Sequence, residues 1–187
     1  MNKFKPLANY FGKTFIHNII LKLNPFSEKI FVVTGFNSEK LKEEVDKTFI
    51  GEKEIFSKLN FVYNENYEQG MFTSLQKGIA KDANCDWILY HFVDQPGLPG
   101  KFYKDFVKQI DVNYNWIQPT YKNRHGHPIL LGKDLFELII NSSVESNLRE
   151  TSNNLIVKKK YWESGYKEIF QDIDTEEDYK ALGKNFP

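Results

Sequence analysis

The order of apolar and polar stretches predicts an α/β protein: a three-layer domain with a mostly parallel sheet covered by helices on both faces. Three observations carry that expectation. Short apolar runs, "KIFVVTG" from Lys29, "NFVYN" from Asn60 and "DWILYHF" from Asp86, are strand-length and rich in β-branched and aromatic residues. Helical patterns stand between them, and right-handed crossovers would place those helices on both sides of the sheet. After about residue 114 the texture changes to strand pairs around polar loops, which adds antiparallel pieces late in the chain.

In order, a polar opening leads to a helix, "KTFIHNIILKLN", so no strand precedes the first helix. The strand from Lys29 follows, then a charged helix from Ser38 to Thr48 beginning after Asn37, the strand from Asn60, and a helix starting near Gly70 through "MFTSLQKGIAKD". The strand "DWILYHF" ends at "VDQPGLPG", and the helix "GKFYKDFVKQI" starts on that turn. "NWIQPTY" and "GHPILL" read as strands around Lys122-Asn123-Arg124-His125. "KDLFELIINSS" and "SNLRETS" read as helices, "NLIVKKKYW" and "YKEIFQDID" as strands. "TEEDYKALG" reads as a closing helix with Asp174 or Thr175 near its N-cap. No repeat or low-complexity linker divides the chain, so residues 1–187 form one expected domain.

Lys plus Arg and Asp plus Glu both number 25, giving no net charge, and a nucleic-acid binder would show a basic excess. Lys158-Lys159-Lys160 reads as a solvated strand edge. Cys85 is the one cysteine, which excludes an intrachain disulfide and an intrachain thiolate cluster. The N-terminal residues lack the apolar run of a signal peptide, and no segment reaches the ~20 apolar residues that cross a bilayer. A cytoplasmic protein without membrane association is the expectation.

Asp94 is the residue that most needs explaining. It follows an apolar run, where a carboxylate is costly to desolvate. One reading is a turn former beside Pro and Gly; the other is a metal ligand at the carboxyl end of a central strand, where open α/β sheets bind ligands. In "GMFTS", Gly70 would let backbone approach a flat base and Ser74 would offer a hydroxyl near a helix start; the alternative is an ordinary first turn. His125 and His127 would share one face of a strand, but zinc lacks a third ligand there. His91 reads as a core histidine and Cys85 as inert.

Five stretches in order resemble the MobA-like NTP transferase family, most closely its molybdenum cofactor cytidylyltransferase branch: "KPLANYFGKTFI", "NENYEQGMFTSLQKG", "VDQPGLPG", "RHGHPILLGKDLF" and "DIDTEEDY". The resemblance implies a Rossmann-like three-layer nucleotidyltransferase fold of the nucleotide-diphospho-sugar transferase type. It implies transfer of a nucleoside monophosphate from CTP or another NTP to a molybdopterin-type phosphate, with release of pyrophosphate. Mg2+ would be the cofactor, held by Asp94 and Asp174; Lys5 and Asp94 would be catalytic. Gly70, Met71, Ser74 and Asp94 would bind nucleotide, with Asn64, Asn66 and Tyr67 shaping that loop, and His127 would lie on the acceptor side. The implied partners are the nucleotide, the molybdopterin-type acceptor, and a molybdoenzyme or a second copy of the chain.

The chain also departs from that pattern. The family's first strand and glycine loop, L-A-A-G-x-S-x-R-M-G-x-x-K, are missing before Pro6-Leu7, with Met1 and Lys5 matching its Met and Lys and Asn2 replacing its second Gly. Val93 replaces the Gly before the Asp. These departures predict a chain that folds but turns over poorly. They keep a second reading open, a non-catalytic truncated relative serving as a binding module; a third is transfer to a sugar or alcohol phosphate.

Overall fold

In the computed structural model, which describes residues 4–175 and 177–179, the chain is a three-layer α/β domain. Strand β1 (Asn9–Tyr10) and β2 (Lys13–Thr14) form a small antiparallel hairpin before helix α1 (Phe15–Leu23), whose N-cap Thr14 accepts a 3.2 Å bond from the His17 N–H. Then come β3 (Ile30–Thr34), α2 (Ser38–Phe49), α3 (Lys53–Lys58), β4 (Leu59–Tyr63), α4 (Met71–Lys81), β5 (Trp87–Tyr90) and α5 (Gly100–Val107). The second half comprises β6 (Trp116–Tyr121), β7 (Arg124–His125), β8 (Ile129–Gly132), α6 (Phe136–Asn141), α7 (Leu148–Ser152) and β9 (Lys159–Glu163).

The strands form two larger ladders. β3 pairs in parallel with β4, Ile30 opposite Leu59. In the other, β8 lies antiparallel between β5 and β6, and β9 pairs in parallel with the far side of β6. β8 is an antiparallel piece of the kind expected late in the chain: it returns from the Lys122–His125 turn region and folds back between β5 and β6, which run parallel to each other and to β9.

Period-2 alternation assigns the faces. Trp116, Ile129 and Leu131 face α4 and α6, where they meet Phe72, Leu75, Ile79, Phe136 and Ile139. Ile117 and Leu130 face the opposite way, toward Phe102, Tyr103 and Phe106 of α5. Ile30 and Val32 of β3 pack on α1 and α2 through Ile16, Ile20, Leu41, Val45 and Phe49. On the other face of β3, Gly78 of α4 lies close enough that an added Cβ would sit 3.2 Å from Val33. Helix α4 therefore bridges the two ladders. Each fully buried aliphatic side chain contributes roughly 1.5–3 kcal/mol, so these three clusters are the main source of stability.

Two expectations need correcting. Helix α3 falls in a stretch that the strand-and-helix reading left unassigned. The stretch from Tyr166 to Asp174 is not a strand: Lys167–Phe170 is a 3-10 turn, and Ile169 and Ile173, four apart, are buried in different clusters. That spacing suits a coiled segment crossing the domain. The closing helix falls partly outside the described residues. No helix among the described residues is long and apolar enough to cross a membrane.

Candidate active site

Strand β5 stops at Tyr90, and Asp94 lies four residues on, in the turn that leads to α5. Asp94 thus stands in the turn beyond the carboxyl end of β5, a strand that runs parallel to β6 across the reversed β8. Two contacts fix that turn. The Ile173 N–H donates to the Asp94 carbonyl at 2.9 Å, tying "DIDT" to "DQP". From the other side, Lys22 of α1 donates to the Pro96 carbonyl at 2.6 Å; burial lowers its pKa to about 8.

This crossing gathers charges from distant parts of the chain. Lys5 pairs with Asp174 at 2.6 Å. Asp172 accepts a 2.6 Å bond from the Gln95 amide. The Asp94 pKa is raised first by burial, then by the nearby charges of Asp172 and Asp174, with Lys5 pulling the other way. Asp94, Asp174 and Lys5, all singled out from sequence, are therefore brought together; Asp172 was missed, although it is the first residue of "DIDT". Thr175, not Asp174, caps the last helix: its hydroxyl accepts from the Asp178 N–H at 3.1 Å, and the Asp178 carboxylate accepts from the Asp174 and Thr175 N–H groups. The Asp174 side chain is left to the cluster.

Four buried side-chain polar atoms lack a hydrogen bond among the described residues, and three of them belong to Asp94, Gln95 and His127. An unpaired buried polar group costs about 1–3 kcal/mol, so their concentration here calls for a reason. A divalent cation fits the Asp94 oxygen. Magnesium is commonly held by one or two carboxylates, with phosphates and water completing the octahedron. The described residues contain no group of three His, Cys, Asp or Glu side chains able to hold a metal.

A cavity of about 620 Å³ is lined by Gly70, Met71, Phe92, Trp116, His127 and Tyr161 among others, and none of Lys5, Asp94, Asp172 and Asp174 is among its lining residues. Gly70 opens α4 at φ 113° and ψ 167°, a conformation only glycine adopts readily; an added Cβ would meet nothing within 4 Å, so backbone geometry requires the glycine and close contact does not. Ser74 does not line the cavity. Its hydroxyl, with that of Thr73, accepts from the amide of buried Asn64 at 3.0 and 2.9 Å, and Asn64 also takes the Asn66 N–H at 3.0 Å. Asn64 and Asn66 shape the loop as expected, and Tyr67 does so by packing against Gly35.

His127 joins cavity and cluster. Its ring lies 4.5 Å from that of Phe92, burial lowers its pKa while Asp172 raises it, and its backbone N–H donates to the Ile169 carbonyl at 3.2 Å. Gly126 is required beside it, because a Cβ would fall 2.5 Å from the Ile169 side chain. His91 is a core residue, bonded to the Phe92 carbonyl at 2.6 Å and the Tyr103 hydroxyl at 2.7 Å. Cys85 is half-buried, with its pKa raised first by burial.

The fold is that of nucleotidyltransferases. A solved structure of Rv0371C in complex with manganese, from Mycobacterium tuberculosis H37Rv, superposes with a TM-score of 0.72 at 14% identity, covering 97% of this chain and 92% of that one. A nucleotidyl transferase from Methanothermobacter thermautotroptrophicus gives 0.71 at 19% identity over 95% and 82%. Molybdopterin-guanine dinucleotide biosynthesis protein A from Archaeoglobus fulgidus gives 0.69 at 12% identity over 98% and 90%. No curated protein sequence matches the chain. The family profile of the MobA-like NTP transferase domain matches residues 1–158, and the chain belongs to that family.

Proposed function

We propose that this protein is a divalent-cation-dependent nucleotidyltransferase that moves a nucleoside monophosphate from a nucleoside triphosphate, CTP first, to the phosphate of a molybdopterin-type acceptor. The observation that carries the reading is the unpaired, buried Asp94 oxygen beside Lys5, Asp172 and Asp174. In the reaction an acceptor phosphate oxygen attacks the α-phosphorus. A new P–O–P bond forms, the bond from the α-phosphorus to the β-bridging oxygen breaks, and pyrophosphate leaves.

Asp94 and Asp174 would hold Mg2+, or Mn2+ of the kind in the mycobacterial complex, and the cation would supply charge neutralisation for the meeting phosphates. Lys5, already paired with Asp174, would turn its ammonium to a phosphate oxygen as the triphosphate enters. Gly70 and Met71 would present backbone at the cavity mouth to the nucleotide, and His127 would face the acceptor. Ser74 would contribute through the Asn64 network, holding the loop. Ordered motif resemblance, above all "RHGHPILLG", favours a pterin acceptor over a sugar phosphate.

The test is pyrophosphate release from CTP with molybdopterin and Mg2+, with GTP in a parallel series. Release that requires the acceptor is the expected result. The non-catalytic reading draws on the Ser74 hydroxyl already engaged by Asn64; nucleotide binding without release from either triphosphate would establish it.

A further inference from the structure

Where the "DQP" turn meets the "DIDT" segment, the nearby ammonium of Lys5 is already engaged. Lys5 opens the 3-10 turn Lys5–Leu7, closed by the Leu7 N–H on the Phe4 carbonyl and the Ala8 N–H on the Lys5 carbonyl, each at 3.0 Å. Ala8 shares a buried cluster with Ile173, while Phe4 and Leu7 pack on the cluster formed by α1, α2 and β3. On the facing segment, the Ile173 N–H is anchored on the Asp94 carbonyl, and the Asp178 carboxylate accepts from the Asp174 N–H. Both backbones are therefore held. The 2.6 Å Lys5–Asp174 pair forms between two fixed points.

The charges around that pair are unbalanced. Burial, Asp172 and Asp174 raise the Asp94 pKa, and among the described residues Lys5 is the one side chain whose charge lowers it. Asp172 is bonded to the Gln95 amide at 2.6 Å. The carboxylates left for a divalent cation are Asp94, with its unpaired oxygen, and Asp174, which Lys5 already holds. An ammonium and a divalent cation on one carboxylate repel each other, and they do so more strongly near a protein surface than in bulk water. The lock is nevertheless easy to open. The Lys5 and Asp174 side chains are 33% and 59% exposed, and an exposed ion pair is a weak one, so a competing anion can draw the lysine away.

We propose that Lys5 is the resident counter-ion of this site and makes divalent-cation binding conditional on the nucleotide. Without nucleotide the ammonium stays on Asp174 and repels a divalent ion. Triphosphate oxygens draw it off, and Asp174 is then free to act with Asp94. The coupling is reciprocal: nucleotide raises cation affinity by the factor by which cation raises nucleotide affinity. The protein thus takes up its metal with its substrate and not before it. This rests on the cation-dependent nucleotidyltransferase reading and adds an order of events to it.

The experiment titrates Mn2+ into the full chain, with and without CTP, and reads the free ion by electron paramagnetic resonance. Chelation by CTP alone is measured in a protein-free titration and subtracted. Wild type is expected to bind Mn2+ at least tenfold more tightly with CTP than without it. Lys5→Gln, which removes the charge, should bind Mn2+ without CTP at least tenfold more tightly than wild type does. Lys5→Arg, which keeps the charge, should behave as wild type, and Asp94→Asn should abolish the gain in the Lys5→Gln background. Equal binding of the nucleotide-free ion by wild type and Lys5→Gln would overturn the proposal. Lys5→Arg binding as tightly as Lys5→Gln would overturn it too, because the charge would then not be the cause. Pyrophosphate release is measured on the same wild-type protein. Release by a protein that binds Mn2+ equally with and without CTP refutes the order of binding alone, whereas Mn2+ bound by none of the proteins, with or without CTP, refutes both readings.

Discussion

Asp94 carries a carboxylate oxygen that is buried and unpaired, and two further carboxylates raise its pKa beyond the effect of burial. A raised pKa means that the folded state holds its proton to higher pH than the unfolded state does. Stability then falls as pH rises from the ordinary value of 3.8 through the raised value, and above it the full cost remains. Asp94→Asn removes that cost. At pH 7 without divalent cations the variant is expected to melt higher than the wild type, by up to roughly 3 °C, and the difference should close below about pH 4. Differential scanning calorimetry at pH 7 and pH 3.5 checks this; a variant that melts lower than wild type at pH 7 would show that the carboxylate supports the fold.

The loop from β4 into α4 is organised around Asn64, which is 1% exposed and bonded to Thr73, Ser74 and the Asn66 backbone. Asn64→Ala leaves those groups short of a partner and is expected to cost about 1–3 kcal/mol, read from urea denaturation. An unchanged midpoint would show that the loop holds itself. The helix after this loop was readable because it buries Phe72, Leu75 and Ile79 at helical spacing, as β3 was by its alternation. Helix α3 was not, since six residues give less than two turns of pattern. Asp94 and "DIDT" were picked out by motif, but their meeting depends on a chain crossing 79 positions long, which no local pattern encodes.

Across the whole molecule the two main ladders are unequal. The β5–β8–β6–β9 ladder has α5 on one face and α4 with α6 on the other, and its central strands β6 and β8 are paired on both edges. The β3–β4 ladder has only two strands. Opening free energy follows the number of buried contacts and ladders that must break together. Amides of Ile117, Leu130 and Leu131 are therefore expected to exchange at least tenfold more slowly than those of Val32 and Val33 under native conditions. Hydrogen exchange followed by NMR reads this directly, and equal protection in both ladders would show one cooperative unit.

The same architecture places the Asp94 turn between α1 and the crossing segment that carries Asp172 and Asp174, so the three-layer arrangement itself assembles the proposed cation site. Calorimetric titration of CTP into the full chain, with and without Mg2+, and into Asp94→Asn, tests that site most directly. The account predicts that wild-type binding requires Mg2+ and weakens at least tenfold in Asp94→Asn, since a neutral amide cannot offset the desolvation of the cation as a carboxylate does. Equal affinities for the two proteins, or wild-type binding indifferent to Mg2+, would contradict it.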